Sequence, residues 1–83
     1  LKCGWDLTAS RDGQELHVEV KGVSSSMPSV LLTRNELRIA ETDPEWSLAV
    51  VTSALTEPAL VEYDRETVVA AANPTVYRVN LAQ

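Results

Sequence analysis

The chain has 83 residues, with 12 acidic and 7 basic side chains, a net charge of −5 and 45% apolar content. That suits one small domain and excludes two separate cores. A single cysteine, Cys3, excludes an internal disulfide.

A domain this short buries about 60–65% of the surface its unfolded form exposes. Its aromatic residues are Trp5, Trp46, Tyr63 and Tyr77, so the core must rest on Val, Leu and Ala. No apolar run reaches the length of a membrane span, and no signal peptide opens the sequence. A secreted domain of this size would ordinarily carry disulfide staples, so a cytoplasmic location is expected. The chain begins at Leu1 and enters strand-like sequence almost at once, which reads as a piece of a longer polypeptide. Its basic residues are scattered rather than gathered into the stripe of an isolated nucleic-acid binder.

Trp5 to Ser10 alternates apolar and polar residues, and so does Glu15 to Lys21. Period-2 patterning predicts two half-buried strands. Asp12-Gly13 between them predicts a two-residue turn with positive φ at both positions. Gly22 to Ser29 reads as a loop, and Val30 to Leu32 as a short extended piece. Thr33-Arg34-Asn35-Glu36 has the spacing of a capping box, with Thr33 at the N-cap and Glu36 at N3. Leu32 and Leu37 fall at the staple positions. The helix should run to about Thr42 and stop before Asp43-Pro44.

Ser47 to Thr52 is nearly all apolar and predicts a central strand buried on both faces. Ala59 to Tyr63 predicts another strand, and Asp64 the cap of a helix over Arg65 to Ala72, with Tyr63 and Val68 as its staple pair. Thr75 to Leu81 predicts a final strand. The order β-β-α-β-β-α-β defines an α+β, mixed α/β domain.

A two-residue turn pairs Arg11 with Gln14 and places Asp6 opposite Glu19. Directly opposed residues point to one face, with Cβ atoms about 4.5–5.5 Å apart. Lys21, two residues beyond Glu19, shares that face. A shift of one residue would mix polar with apolar faces. Two carboxylates this close repel when both are ionised. A hard divalent cation relieves the repulsion, and oxygen ligands on a polar, open face suit Mg²⁺ or Mn²⁺. Lys21 beside the cation would orient or deprotonate a water, or neutralise charge developing on phosphorus. These are the parts of phosphodiester hydrolysis.

Asp6 followed by Glu19-Val20-Lys21 resembles the D-x(n)-E-x-K signature of the PD-(D/E)XK nuclease superfamily. A wider set of strings is more specific: Gly4-Trp5-Asp6-Leu7, Val18-Glu19-Val20-Lys21-Gly22 and Leu32-Thr33-Arg34-Asn35-Glu36. It looks like the restriction-endonuclease-like domain of unknown function at the C-terminus of the plant protein NO VEIN and in many bacterial proteins. The resemblance implies Asp6, Glu19 and the Val20 backbone as metal ligands, with Asp6, Glu19 and Lys21 as the catalytic set. It also implies DNA as substrate, a place in restriction or antiviral-defence polypeptides, and fused helicase or ATPase modules. The superfamily core begins with a helix and a strand ahead of the Asp, and neither precedes Asp6 here.

Bland readings stand beside these. Glu19 and Lys21 can form a surface ion pair contributing under about 1 kcal/mol. His17, on the same face, reads as a polar, solvent-facing histidine. Glu36 is explained by the capping box. Arg34 and Asn35 sit at a helix start, where N–H groups favour phosphate. Cys3 reads as packing, and the tryptophans as core or edge packing. Two further functional readings remain: a catalytically inactive nuclease-fold module that regulates a fused ATPase or helicase, and a homodimerising domain with an exposed sheet edge.

Overall fold

The computed structural model describes residues 5–72. In chain order these form β1 (Leu7–Arg11), β2 (Gln14–Gly22), α1 (Arg34–Thr42), β3 (Trp46–Thr52), β4 (Ala59–Asp64) and α2 (Arg65–Ala71). The strand expected at Thr75 to Leu81, and Cys3, lie outside the described residues. The four strands make one sheet in the order β1-β2-β3-β4. β1 and β2 are antiparallel, β2 and β3 parallel, β3 and β4 antiparallel. The domain is of the α+β class.

The hairpin follows the turn chemistry. Asp12 and Gly13 have φ of 53° and 78°, the positive pair that a tight I′ connection requires. The ladder runs from Arg11↔Gln14 to Leu7↔Val18, the register expected from the turn. Parallel pairing of β2 with β3 needs a crossover, and α1 supplies it. The first turn of α1 therefore lies near the carboxyl end of β2, beside Lys21, and its last turn near the start of β3.

Thr33 caps α1 with a complete capping box: the Glu36 N–H donates to Thr33 Oγ1 at 3.0 Å, and the Thr33 N–H to Glu36 Oε1 at 2.8 Å. Val30 to Leu32 is not a strand. Val23 bonds the Val51 carbonyl through its N–H, and the Ser25 carbonyl accepts from the Ser53 N–H; beyond Ser25 the chain leaves the sheet. Val30 and Leu32 then contribute side chains, not backbone pairing, to the core.

Both helices contribute to that core, in which Ala40 of α1 and Val68 of α2 meet Trp46, Leu48 and Val50 of β3. The parallel register pairs His17 with Trp46, Glu19 with Leu48 and Lys21 with Val50. The polar row of β2 therefore shares its face with the core row of β3. This corrects the expected open face: His17 and Glu19 are buried, at 9% and 7% exposure. On the opposite face of the sheet, Leu7, Val20 and Leu60 are exposed. Alternation fixed which side chains share a face. The placement of both helices, which alternation does not encode, decided which face is covered. Among the described residues no helix is long and apolar enough to cross a membrane.

Leu48 is buried and Leu31 is 91% exposed. Leu48→Ala should cost about 2–5 kcal/mol, read as a fall in the urea midpoint, while Leu31→Ala should stay within about 0.5 kcal/mol of the parent.

Candidate functional site

Lys21 is gripped where β2 ends and α1 begins. Its Nζ donates to Glu36 Oε1 at 2.9 Å and Oε2 at 3.0 Å, and lies 3.7 Å from Glu19 Oε2. All three side chains are largely withdrawn from water. The capping box fixes the geometry, because the bond from the Thr33 N–H holds the Glu36 carboxylate folded back over the helix start. Glu36 thus does two things at once: it closes the first turn of α1 and it pairs with Lys21. The capping-box reading of Glu36 was right but incomplete. Its second role was legible only through the crossover, which sets the first turn of the following helix at the carboxyl end of β2.

Burial disfavours the charge of Glu19 most, and the neighbouring carboxylates of Glu36 and Asp6 add to this. Lys21 offsets only part, and the Glu19 carboxyl is pushed up to about 7. With its proton, Glu19 shares a hydrogen bond with Glu36. Glu36 moves the other way. Burial alone would raise it, but hydrogen bonds from the Thr33 backbone, Lys21 and Glu19 hold it below the usual carboxylate range. The two acids are split by environment, one poised near neutrality and one firmly ionised.

Asp6 does not extend the β1 ladder to stand squarely opposite Glu19. Its N–H still donates to the Val18 carbonyl at 3.0 Å, but the chain bends at residues 5–6, and Asp6 Oδ2 accepts from the Val20 N–H at 2.8 Å. The Asp6 carboxylate is exposed, close enough for its charge to act on Glu19. The three residues singled out from sequence are therefore neighbours, with Asp6 and Lys21 already engaged by other protein groups.

His17 lies on the face expected of it but not in solvent. Its Nδ1 meets Asp43 Oδ2 at 2.6 Å, its Nε2 meets Glu15 Oε2 at 2.5 Å, and its ring stacks on Trp5 with centroids 3.8 Å apart and planes 8° from parallel. The hydrogen bonds to Asp43 and Glu15 raise its pKa above 6.5 against the effect of burial. Burial would raise Asp43, but the bonds from His17 and the Glu45 N–H leave it lowered. An imidazolium donating to a carboxylate on each side satisfies every group.

Among the described residues, His17, Asp43 and Glu45 form the set of three ligand-type side chains whose ligand atoms lie within 4.8 Å of one another. Asp6, Glu19 and Glu36 are not so tightly gathered. Arg34 and Asn35 begin α1, and Asn35 Oδ1 accepts from Arg38 at 2.7 Å.

The domain is thus of the mixed α+β class, with Lys21 held between the carboxylates of Glu19 and Glu36 near the end of β2. The model of the family described as Protein NO VEIN, C-terminal, matches residues 1–63, and the chain belongs to that family. No curated protein and no solved structure matches the sequence.

The raised value at Glu19 has a signed consequence for stability. Its folded pKa exceeds the ordinary 4.5, so the folded state binds more protons than the unfolded one between those values. Stability from this group falls as pH rises from about 4.5 to about 7 and is level above. Glu19→Gln should therefore raise the melting temperature at pH 8, by roughly 4–8 °C for each kcal/mol relieved. The gain should vanish near pH 4.5. Calorimetric melts at the two pH values check this, and a lower melting temperature for the variant at pH 8 would contradict it.

Proposed function

We propose that this domain is a divalent-cation-dependent nuclease of the PD-(D/E)XK type, hydrolysing DNA phosphodiesters within a longer restriction or defence polypeptide. The observation that carries the reading is the meeting of Asp6, Glu19 and Lys21 near the end of β2, with Lys21 Nζ 3.7 Å from Glu19 Oε2 and the Asp6 carboxylate on the Val20 N–H; the electrostatics of Glu19 support it. A buried carboxyl pushed up to about 7 by its own burial and by the carboxylates of Glu36 and Asp6 is a place where a cation relieves a standing cost.

The donor set fits Mg²⁺ or Mn²⁺, which prefer carboxylate and carbonyl oxygens. Asp6 and Glu19 would supply carboxylates. Val20 would supply its carbonyl, which in extended backbone points to the same side of β2 as the N–H that Asp6 accepts. When bound, the cation would polarise a phosphoryl oxygen and lower the pKa of a water. The protein's own contribution is then positional. Glu36 holds Lys21 Nζ 3.7 Å from Glu19 Oε2, and beside a bound cation the amine would orient the attacking water and balance developing negative charge. A net charge of −5 does not favour a grip on DNA by this domain alone, and on this reading fused modules such as a helicase or ATPase would supply it.

A second reading has its own observation. Lys21 is bound bidentately by Glu36, and Asp6 is spent on the Val20 N–H, as in a nuclease fold kept for protein interaction without chemistry.

In the full-length polypeptide, Asp6→Ala and Lys21→Ala should each lower Mg²⁺-dependent DNA cleavage by at least about a hundredfold with the fold intact by circular dichroism. Undiminished cleavage by either variant removes the nuclease assignment. Calorimetry with Mn²⁺ separates the two readings, since the inactive module binds none.

A further inference from the structure

Asp6 has no side chain of its own β-ladder to hold it. It precedes β1, is exposed, and its carboxylate accepts a hydrogen bond from the Val20 N–H. Strand alternation would put its neighbour Trp5 on the opposite face from Asp6. Instead the bend at residues 5–6 turns the Trp5 indole onto the face of His17, where the two rings stack at 3.8 Å. The indole Nε1 also donates to Thr8 Oγ1 at 2.9 Å, folding the ring back along the start of β1.

The other half of the stack is held by hydrogen bonds. His17 lies on a central strand, its backbone N–H donates to the Glu45 carbonyl at 2.9 Å, and both ring nitrogens are held, by Asp43 and Glu15. Asp43 is itself fixed, since its N–H closes the end of α1 on the Ile39 carbonyl and its Oδ1 accepts from the Glu45 N–H.

We propose that Trp5 and His17 are positioning residues for the cation site: their stack sets the bend that delivers the Asp6 carboxylate to the Val20 N–H, near Glu19. The inference rests on the reading of Asp6 and Glu19 as cation ligands, though the placement of Asp6 can be measured without a cation. The chain of contacts is continuous: the loop after α1 holds His17, His17 holds Trp5, and Trp5 sets its neighbour Asp6. Groups that orient a ligand without touching the metal commonly change affinity about 10–100-fold when removed.

The test uses Trp5→Ala and Trp5→Phe with two readouts, hydrogen exchange of the Val20 amide by NMR and Mn²⁺ titration by calorimetry. Trp5→Ala should speed Val20 exchange about tenfold or more while the amides of Leu48 and Val50 keep their protection. It should also weaken Mn²⁺ binding about 10–100-fold. Trp5→Phe, which preserves a flat ring against His17, should restore both.

Wild-type exchange at Val20 in folded Trp5→Ala, or a Phe variant as impaired as the Ala one, overturns the proposal. If Trp5→Ala loses the fold, His17→Ala removes the other ring, and the same change at Val20 is required of it. A parent protein that takes up no Mn²⁺ defeats the cation reading, while the Val20 amide still decides the positioning claim.

Discussion

One amine among carboxylates organises this domain. Lys21 sits where the end of β2 meets the first turn of α1, and Glu36 binds it with both oxygens while closing the capping box with Thr33. The contact fastens the crossover helix to the sheet. It also leaves Glu19 inadequately compensated, because the carboxylate closest to Lys21 is Glu36 and Glu19 must share what remains. A buried acid next to an ionised one retains its proton well above the ordinary range, and the value of about 7 at Glu19 follows from that unequal division.

The two ends of α1 treat charge differently. Each end sets one cation between two carboxylates, but at the start both acids, Glu19 and Glu36, are largely withdrawn from water, and the cost is concentrated on Glu19. At the end, the Glu15 carboxylate beside His17 is mostly solvated, so the histidine is raised and Asp43 lowered without a strained acid. Functional sites are where such tension as that on Glu19 is usually found, and on our proposal the His17 cluster serves as the fixed point from which the exposed Asp6 is placed.

Much of this was legible in the sequence. Asp12-Gly13 specified the turn and the register of β1 on β2, Thr33 and Glu36 specified the helix start, and Asp64 specified the cap of α2, where its side chain accepts from the Thr67 N–H at 2.9 Å. Period-2 alternation correctly grouped His17, Glu19 and Lys21 on one face. It could not say that α1 and α2 would cover that face, because strand periodicity is blind to where helices pack. Hence His17 was expected in solvent and is buried, and the pair Lys21–Glu36 was missed, being a contact between residues 15 apart across a loop. The bend at Trp5 was also hidden, since it depends on a ring contact with His17 and not on local propensity.

The protonation state of Glu19 tests the functional account most directly, and it can be observed at the atom concerned. NMR of a ¹³C-labelled Glu19 carboxyl should show titration near pH 7 in the absence of divalent cations. With saturating Mg²⁺ the same carbon should titrate in the ordinary carboxylate range or below, since the cation favours the charged form. A carboxyl that titrates near 4.5 without metal, or whose midpoint Mg²⁺ leaves unmoved, would contradict the account.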